Sequence, residues 1–295
     1  MLPTLAPCRS LLGKPRNSIG KADGPCPTPK GLDLDLWIGP APKVPIVRKR
    51  FHYDWHWIWD YGNGDLGNQG IHEMDKARWG LGKNELPKSV LSLGGRFGYV
   101  DDGETANTQM CFFDYGDCHL IFEVRGLPSK DLQGAKVGNI FYGSDGYLVC
   151  PSYDSGVVFS PKGEKLETFK GGGDHYGNFV ASVRSRKHTD LNADIVEGHL
   201  SSALCHLGNI SYRLGSLVPF STKAKAFGDD KETLESFRRM QEHLHDNKVP
   251  IEDGQYRLGR PLAINQKTES FVNDKDADAM LTRVYRKGFE VPAKL

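Results

Sequence analysis

The chain has 295 residues and carries 38 basic against 37 acidic side chains. That is enough for one large domain or two small ones, and too evenly charged for a nucleic-acid footprint. No run approaches the ~18 apolar residues of a membrane span, so neither nucleic acid nor a membrane is expected as a partner.

Residues 1–50 are rich in proline, which lacks an amide donor and turns its predecessor away from helix, so extended, loop-like chain is expected. The start lacks the charged leader and apolar core of an export signal. The basic triplet Arg48-Lys49-Arg50 is expected on a solvated edge. An aromatic stretch follows, Phe51-His52-Tyr53-Asp54-Trp55-His56-Trp57-Ile58-Trp59-Asp60-Tyr61. If extended, it would send His52, Asp54 and His56 to one face and Trp55, Trp57 and Trp59 to the other. Aromatic faces beside hydrogen-bonding groups suit a sugar ring, which makes His52, Trp55, Trp57 and Asp60 candidate substrate contacts. A metal site is the competing use of these His and Asp residues, and plain packing on the sheet is the simplest one.

Gly62-Asn63-Gly64-Asp65-Leu66-Gly67 matches G-x-G-x-x-G literally. The segment before it is not the Val/Ile-rich strand of a dinucleotide fold, and Asp65 would face a bound pyrophosphate. A tight turn into a helix is the preferred reading, and no cofactor-binding residues are assigned. A helix is predicted over 69–81, with Ile71, Met74, Arg78 and Leu81 at helical spacing. Helical geometry places His72 four residues after Asn68 and one turn before Asp75. A carboxylate there can orient an imidazole for acid–base work on an alcohol, giving His72 and Asp75 as candidate catalytic residues and Asn68 as a substrate contact. The alternative is structural, with Asp75 pairing with Arg78 or Lys76 while His72 only packs.

Strands are predicted over 89–96, 108–114, 118–125, 137–142, 147–151, 156–159 and 166–169, joined by turns too short for parallel crossovers. Helices are predicted over 175–186 and 194–214, the first with His175 either reaching the same cleft or merely following the N-cap Asp174. Asp101-Asp102-Gly103-Glu104 is expected as an exposed acidic turn, with a calcium loop as the alternative. The six cysteines include no C-x-x-C pair and are expected as free thiols in a reducing, cytoplasmic setting. A two-residue turn between Cys111 and Cys118 would set Cys118 opposite Phe113. Beyond 216 one amphipathic helix is marked by Leu234, Phe237, Met240 and Leu244. The fold class expected is α+β, a mixed, mostly antiparallel open-faced sheet with helices on one face. A lead-in over 1–50, a substrate domain over 51–215 and a wrapping extension over 216–295 make up the chain.

The stretch Gly67 to Gly82 resembles the D-x-x-x-H helix of the Gfo/Idh/MocA (glucose-fructose oxidoreductase, inositol dehydrogenase and rhizopine-catabolism) family. Further likeness, to members with a bacterial-type C-terminal domain, lies in Asp35-Leu36-Trp37-Ile38-Gly39-Pro40, His175-Tyr176-Gly177-Asn178-Phe179, Glu197-Gly198-His199-Leu200 and Tyr256-Arg257-Leu258-Gly259-Arg260. The resemblance implies an NAD(P)-dependent sugar or polyol oxidoreductase that pairs with a second copy through its sheet face. This sequence departs from the pattern at Asn68, where the family has Asp, and it has no Glu-Lys-Pro motif. Met1 falls near where the family's nucleotide-binding domain would be finishing. The expected role is therefore the substrate-binding and oligomerisation part of such an enzyme, inactive alone or completed by a separate nucleotide-binding chain. The alternatives are a non-catalytic carbohydrate-binding or dimerisation module and an NAD-assisted glycosidase fragment.

Overall fold

In the computed structural model, residues 5–222 and 230–292 are described. Their strands are β1 (Leu5–Leu12), β2 (Ser89–Gly95), β3 (Thr108–Asp114), β4 (His119–Arg125), β5 (Val137–Gly143), β6 (Gly146–Cys150), β7 (Ser155–Phe159), β8 (Lys165–Lys170), β9 (Ser216–Pro219), β10 (Gln255–Leu258), β11 (Leu262–Asn265) and β12 (Ser270–Phe271). The helices are α1 (Leu34–Ile38), α2 (Gly64–Asn68), α3 (Gly70–Leu81), α4 (His175–Ser185), α5 (Ile195–Arg213), α6 (Lys231–Asp246) and α7 (Lys275–Asp278). The architecture is α+β around one large, mostly antiparallel sheet, ordered β12-β11-β2-β3-β4-β1-β5-β6-β7-β8, with β9 and β10 joined beside β2.

The largest departure from expectation is β1. The Pro-rich start is not loop throughout: Cys8–Leu12 lies at the centre of the sheet, parallel to β4 and antiparallel to β5. Pro7 is tolerated because the β1–β5 register shifts between Leu5 and Cys8, where a missing amide donor breaks no regular rung. The β3–β4 hairpin also differs by two residues from expectation. Phe113 pairs with Leu120, and the Tyr115 amide donates to the Cys118 carbonyl, so Cys118 faces Tyr115. All six cysteines are free.

Strand alternation splits the sheet into two working faces. Cys8 and Leu12 of β1, Cys111 and Phe113 of β3, and Leu120, Phe122 and Val124 of β4 meet α3 and α5 in the main core. On the reverse face Leu91, Leu93, Met110 and Ile121 meet Phe237, Met240 and Leu244 of α6 in a second core. The helices therefore cover both faces, α6 lying over β3 and β4.

Two polar segments expected at the surface each send one side chain inward, while Lys49, Arg50 and Glu104 stay exposed. Arg48 is only 2% exposed. Its guanidinium donates to the Phe51 carbonyl and is caged by the rings of Trp37, Phe51 and Tyr61 at 5.1–5.5 Å. Asp101 receives both arms of Arg96 and the Ile19 amide. Burial opposes ionisation of Asp101, but these bonds outweigh it and hold its carboxyl at about 2. That acidic turn is a clasp for the lead-in chain.

Candidate functional site

Where β1 leaves the sheet, Lys14 and Arg16 run beside α2 and the start of α3. Arg16 donates from Nε and Nη2 to the two carboxylate oxygens of Asp65, each at 2.8 Å, and from Nη1 to the Tyr53 hydroxyl at 3.1 Å. Both charged side chains are largely buried, so the fork–carboxylate geometry sets how this corner is built. His56 lies beneath, its Nε2 4.0 Å from Asp65, and burial pushes its imidazole below the usual histidine range. Tyr53, which opens the turn, has φ of 64°, a strained value for a non-glycine residue.

The glycine loop serves this same corner. A Cβ on Gly62 would stand 2.4 Å from the His56 Cα, and Gly64 has φ of 68°. The glycines are thus required by backbone approach and by the left-handed turn. The segment before the loop is a 3₁₀ turn (Asp54–Trp57), not a buried strand, and Asp65 is committed to Arg16. The loop therefore lacks the buried strand that precedes a dinucleotide fingerprint.

One turn further on, α3 builds a second cluster. Gln69 accepts from Lys14 Nζ at 3.1 Å and donates to the Tyr153 hydroxyl at 2.9 Å. Tyr153, from the β6–β7 loop, roofs the cluster. The His72 ring lies 5.5 Å from it and Lys76 Nζ 5.0 Å over its face, while Lys76 donates to the Ser152 carbonyl. Glu73 is fully buried below, near Gln69 and Tyr153, with neither carboxylate oxygen in good hydrogen-bonding geometry. Asn139 fixes the backbone there by donating to the Glu73 carbonyl at 2.8 Å. Burial raises the Glu73 carboxyl to about 7 and lowers the Lys76 ammonium. A carboxyl that titrates near neutrality beside a tyrosine hydroxyl is a group able to give or take a proton.

The residues singled out from sequence fare differently. His72 is exposed on α3 at the rim of the cluster, and Asn68 is half-buried at the end of α2. Asp75 does not hold the imidazole: it accepts from Ser201 Oγ at 2.5 Å and lies 3.7 Å from Arg78, tying α3 to α5. The aromatic stretch is not extended, so the expected two-faced alternation is absent. Within it Trp57 is 2% exposed beneath the Arg96 guanidinium, Trp55 is 38% exposed, and His52 is exposed edge-on to Phe51. Asp60 is half-buried, its carbonyl accepting from Arg283. His175 opens α4 with its ring on Tyr176, and Asp174 is the N-cap, accepting from the Gly177 amide; none of these contacts is with the α3 cluster.

Sequence reading missed Lys14, Gln69, Glu73, Lys76 and Tyr153. The spacing of Gln69, Glu73 and Lys76, four and three apart, was a usable signal for one helical face. Tyr153 had none, because its place depends on sheet closure. Among the described residues no group of three or more His, Cys, Asp or Glu could hold a metal ion, and no helix is long and apolar enough to cross a membrane.

Comparison with known proteins gives a family match over residues 18–245, described as "Oxidoreductase family, C-terminal alpha/beta domain". No curated protein matches. Among solved structures, the chain is similar to an oxidoreductase from Bacillus cereus (14% identity, 71% of this chain and 56% of that one, TM-score 0.41). It is also similar to the WlbA dehydrogenase from Bordetella pertussis, solved in complex with NADH and UDP-GlcNAcA (14% identity, 69% and 50%, TM-score 0.41). An oxidoreductase from Thermotoga maritima gives 12% identity, 70% and 52% coverage and a TM-score of 0.43. The chain spans about half the length of these structures.

Proposed function

The chain belongs to the oxidoreductase family through this C-terminal α/β domain, and from that premise we propose that it is the substrate-holding part of an NAD(P)-dependent sugar or polyol oxidoreductase. The observation that carries the reading is the α3 cluster. Lys14, Gln69 and Tyr153 offer donors and acceptors to vicinal hydroxyls on the surface where Asn68 and His72 open to solvent. Asn68 can hydrogen-bond a hydroxyl but cannot take its proton, which leaves His72 as the exposed acceptor. Trp55 and His52 stay candidates for the sugar's apolar face, whereas Trp57 is committed to packing. The nicotinamide would come with a nucleotide-binding domain or chain set against this face, since the Gly62–Gly67 loop is filled by its own structure. A second copy would pair through the half of the sheet beyond α6, where Tyr142, Tyr147 and Phe159 are only partly covered.

Titration of the purified chain with NADH and NADPH, in parallel with saturation-transfer NMR against a panel of aldoses and polyols, tests this. Sugar binding is expected in the parent chain and abolished in His72→Ala and Gln69→Ala, with no nucleotide binding. Micromolar binding of either nucleotide by this chain, or sugar binding unchanged in both variants, overturns it.

A further inference from the structure

The helix α4 is inverted relative to the body of the chain. Its polar side faces inward. Asn178 donates from Nδ2 to the Asp190 carbonyl at 2.7 Å and accepts at Oδ1 from the Asn192 amide at 3.0 Å. Ser182, on the same side, is the only buried residue of the helix. Its apolar side faces solvent. Tyr176, Phe179, Val180 and Val183 recur at helical spacing and make one stripe. Tyr176 is 77% and Phe179 60% exposed, and the two valines 45% each. Where the turn held by Asn178 leads into α5, Ile195 and Val196 are exposed as well. A surface helix of a globular domain turns such a stripe toward its own core. Here no described residue covers it.

Two features fix the occupant. The stripe is self-complementary about a two-fold axis between Phe179 and Val180. In an antiparallel pair of α4 helices on that axis, Tyr176 stands level with the partner's Val183 and Phe179 with the partner's Val180. A large side chain therefore meets a small one at each level, as close packing requires. Arg184 stands level with the partner's Asp174, so opposite charges meet at both ends, and the two helix dipoles oppose. A hole also waits for the largest knob. Between α4 and the turn over residues 187–191 lies a groove of about 210 Å³, lined by Phe179, Val183 and Leu191, with Arg186 and His188 at its rim. The partner's Tyr176 is brought to this groove, its ring against the apolar lining and its hydroxyl toward the basic rim.

The area is sufficient. With aromatic side chains at about 150–250 Å² each, the six exposed apolar residues present on the order of 600 Å² per copy. Two copies then cover about 1,200 Å², the lower bound of a stable, specific interface. The neighbouring edge strand β8 is not the contact, because Lys165 and Lys170 at its two ends guard it against strand pairing.

We propose that α4 is a two-fold interface on which a second copy of this chain docks, α4 against α4 in antiparallel, with each Tyr176 seated beside the partner's Val183. This contact is separate from the pairing through the sheet face and does not rest on the reading of the α3 cluster.

Sedimentation of the whole chain over a range of concentrations tests it, in the parent and in Tyr147→Asp, which disrupts the sheet face. Self-association is expected to persist in Tyr147→Asp. Phe179→Glu, at an exposed position that the fold does not need, should weaken it by about tenfold or more. Exchanging partners tests the register. Tyr176→Val and Val183→Tyr should each weaken association, whereas the double variant should restore it, because large again meets small. A surface that is merely apolar would not recover in this way. Association unchanged by Phe179→Glu, a double variant no better than the single ones, or a Tyr147→Asp protein monomeric at every concentration overturns the proposal. Sensitivity to Phe179→Glu with none to Tyr147→Asp supports it and removes the sheet-face contact instead.

Discussion

Glu73 gives the sharpest test of how the candidate site is built. Its carboxyl is buried on α3 without a well-formed hydrogen bond, and burial carries it from an ordinary 4.5 to about 7. A carboxyl whose folded value lies above its unfolded value is held protonated by the native state. Its contribution to stability is fully present below the unfolded value, falls as pH rises between the two, and is lost above the folded one. A shift of this size corresponds to about 3 kcal/mol, at about 1.4 kcal/mol per unit. Replacing the residue with glutamine keeps its shape and removes the titration. Urea unfolding of both proteins at about pH 5 and about pH 8 isolates the effect, because every other carboxylate cancels in the difference of differences. Glu73→Gln should gain on the parent protein by about 2.5 kcal/mol across that interval, the remainder of the effect lying below pH 5. Parallel pH profiles for the two proteins would refute this account, and would mean that Glu73 is ionised throughout and paired, with Lys76 the nearest cation.

Three further outcomes follow from neighbouring contacts. Asp65→Asn leaves the Arg16 guanidinium largely buried without a counterion, and should cost about 3–5 kcal/mol in chemical unfolding. Gly62→Ala drives a methyl group to 2.4 Å from the His56 backbone. It should destabilise by at least about 1–3 kcal/mol, read as a lower Tm, whereas a glycine loop serving only a nucleotide would leave Tm unchanged. Tyr147→Asp, on the part of the sheet face beyond α6, should shift the chain toward monomer in sedimentation if that face pairs two copies.

Most of the sheet and the long helices are legible in the residues, because alternation over 108–114 and helical spacing over 194–214 are local signals that tertiary packing reinforces. The strand at Leu5–Leu12 is not, since proline content argues against a strand unless the partner supplies a bulge, and the bulge belongs to the pairing with β5. Burial of Arg48 is hidden for the same kind of reason. Its cage is assembled from Trp37 and from Phe51 and Tyr61 at the two ends of the aromatic stretch, and only folding closes it.

Local spacing and long-range packing divide the candidate site between them. A helix fixes what its own residues share, but Asn68 ends α2 and His72 lies on α3, so their spacing alone does not put them on one side. Nor does it fix what the helix faces. Asp75 stands the right number of residues from His72 to orient it, yet α5 brings Ser201 within 2.5 Å, and that short hydrogen bond decides its role. Tyr153 arrives from the opposite direction, carried in by the β6–β7 loop to bridge Gln69, His72 and Lys76. Substituting Tyr153 therefore separates two accounts of His72. Tyr153→Phe keeps the ring against the imidazole and removes the hydroxyl that Gln69 holds. If His72 acts alone on a bound alcohol, Tyr153→Phe leaves the saturation-transfer signal of the sugar intact. If the cluster acts as a unit, that signal falls with His72 still present and the fold unchanged by circular dichroism.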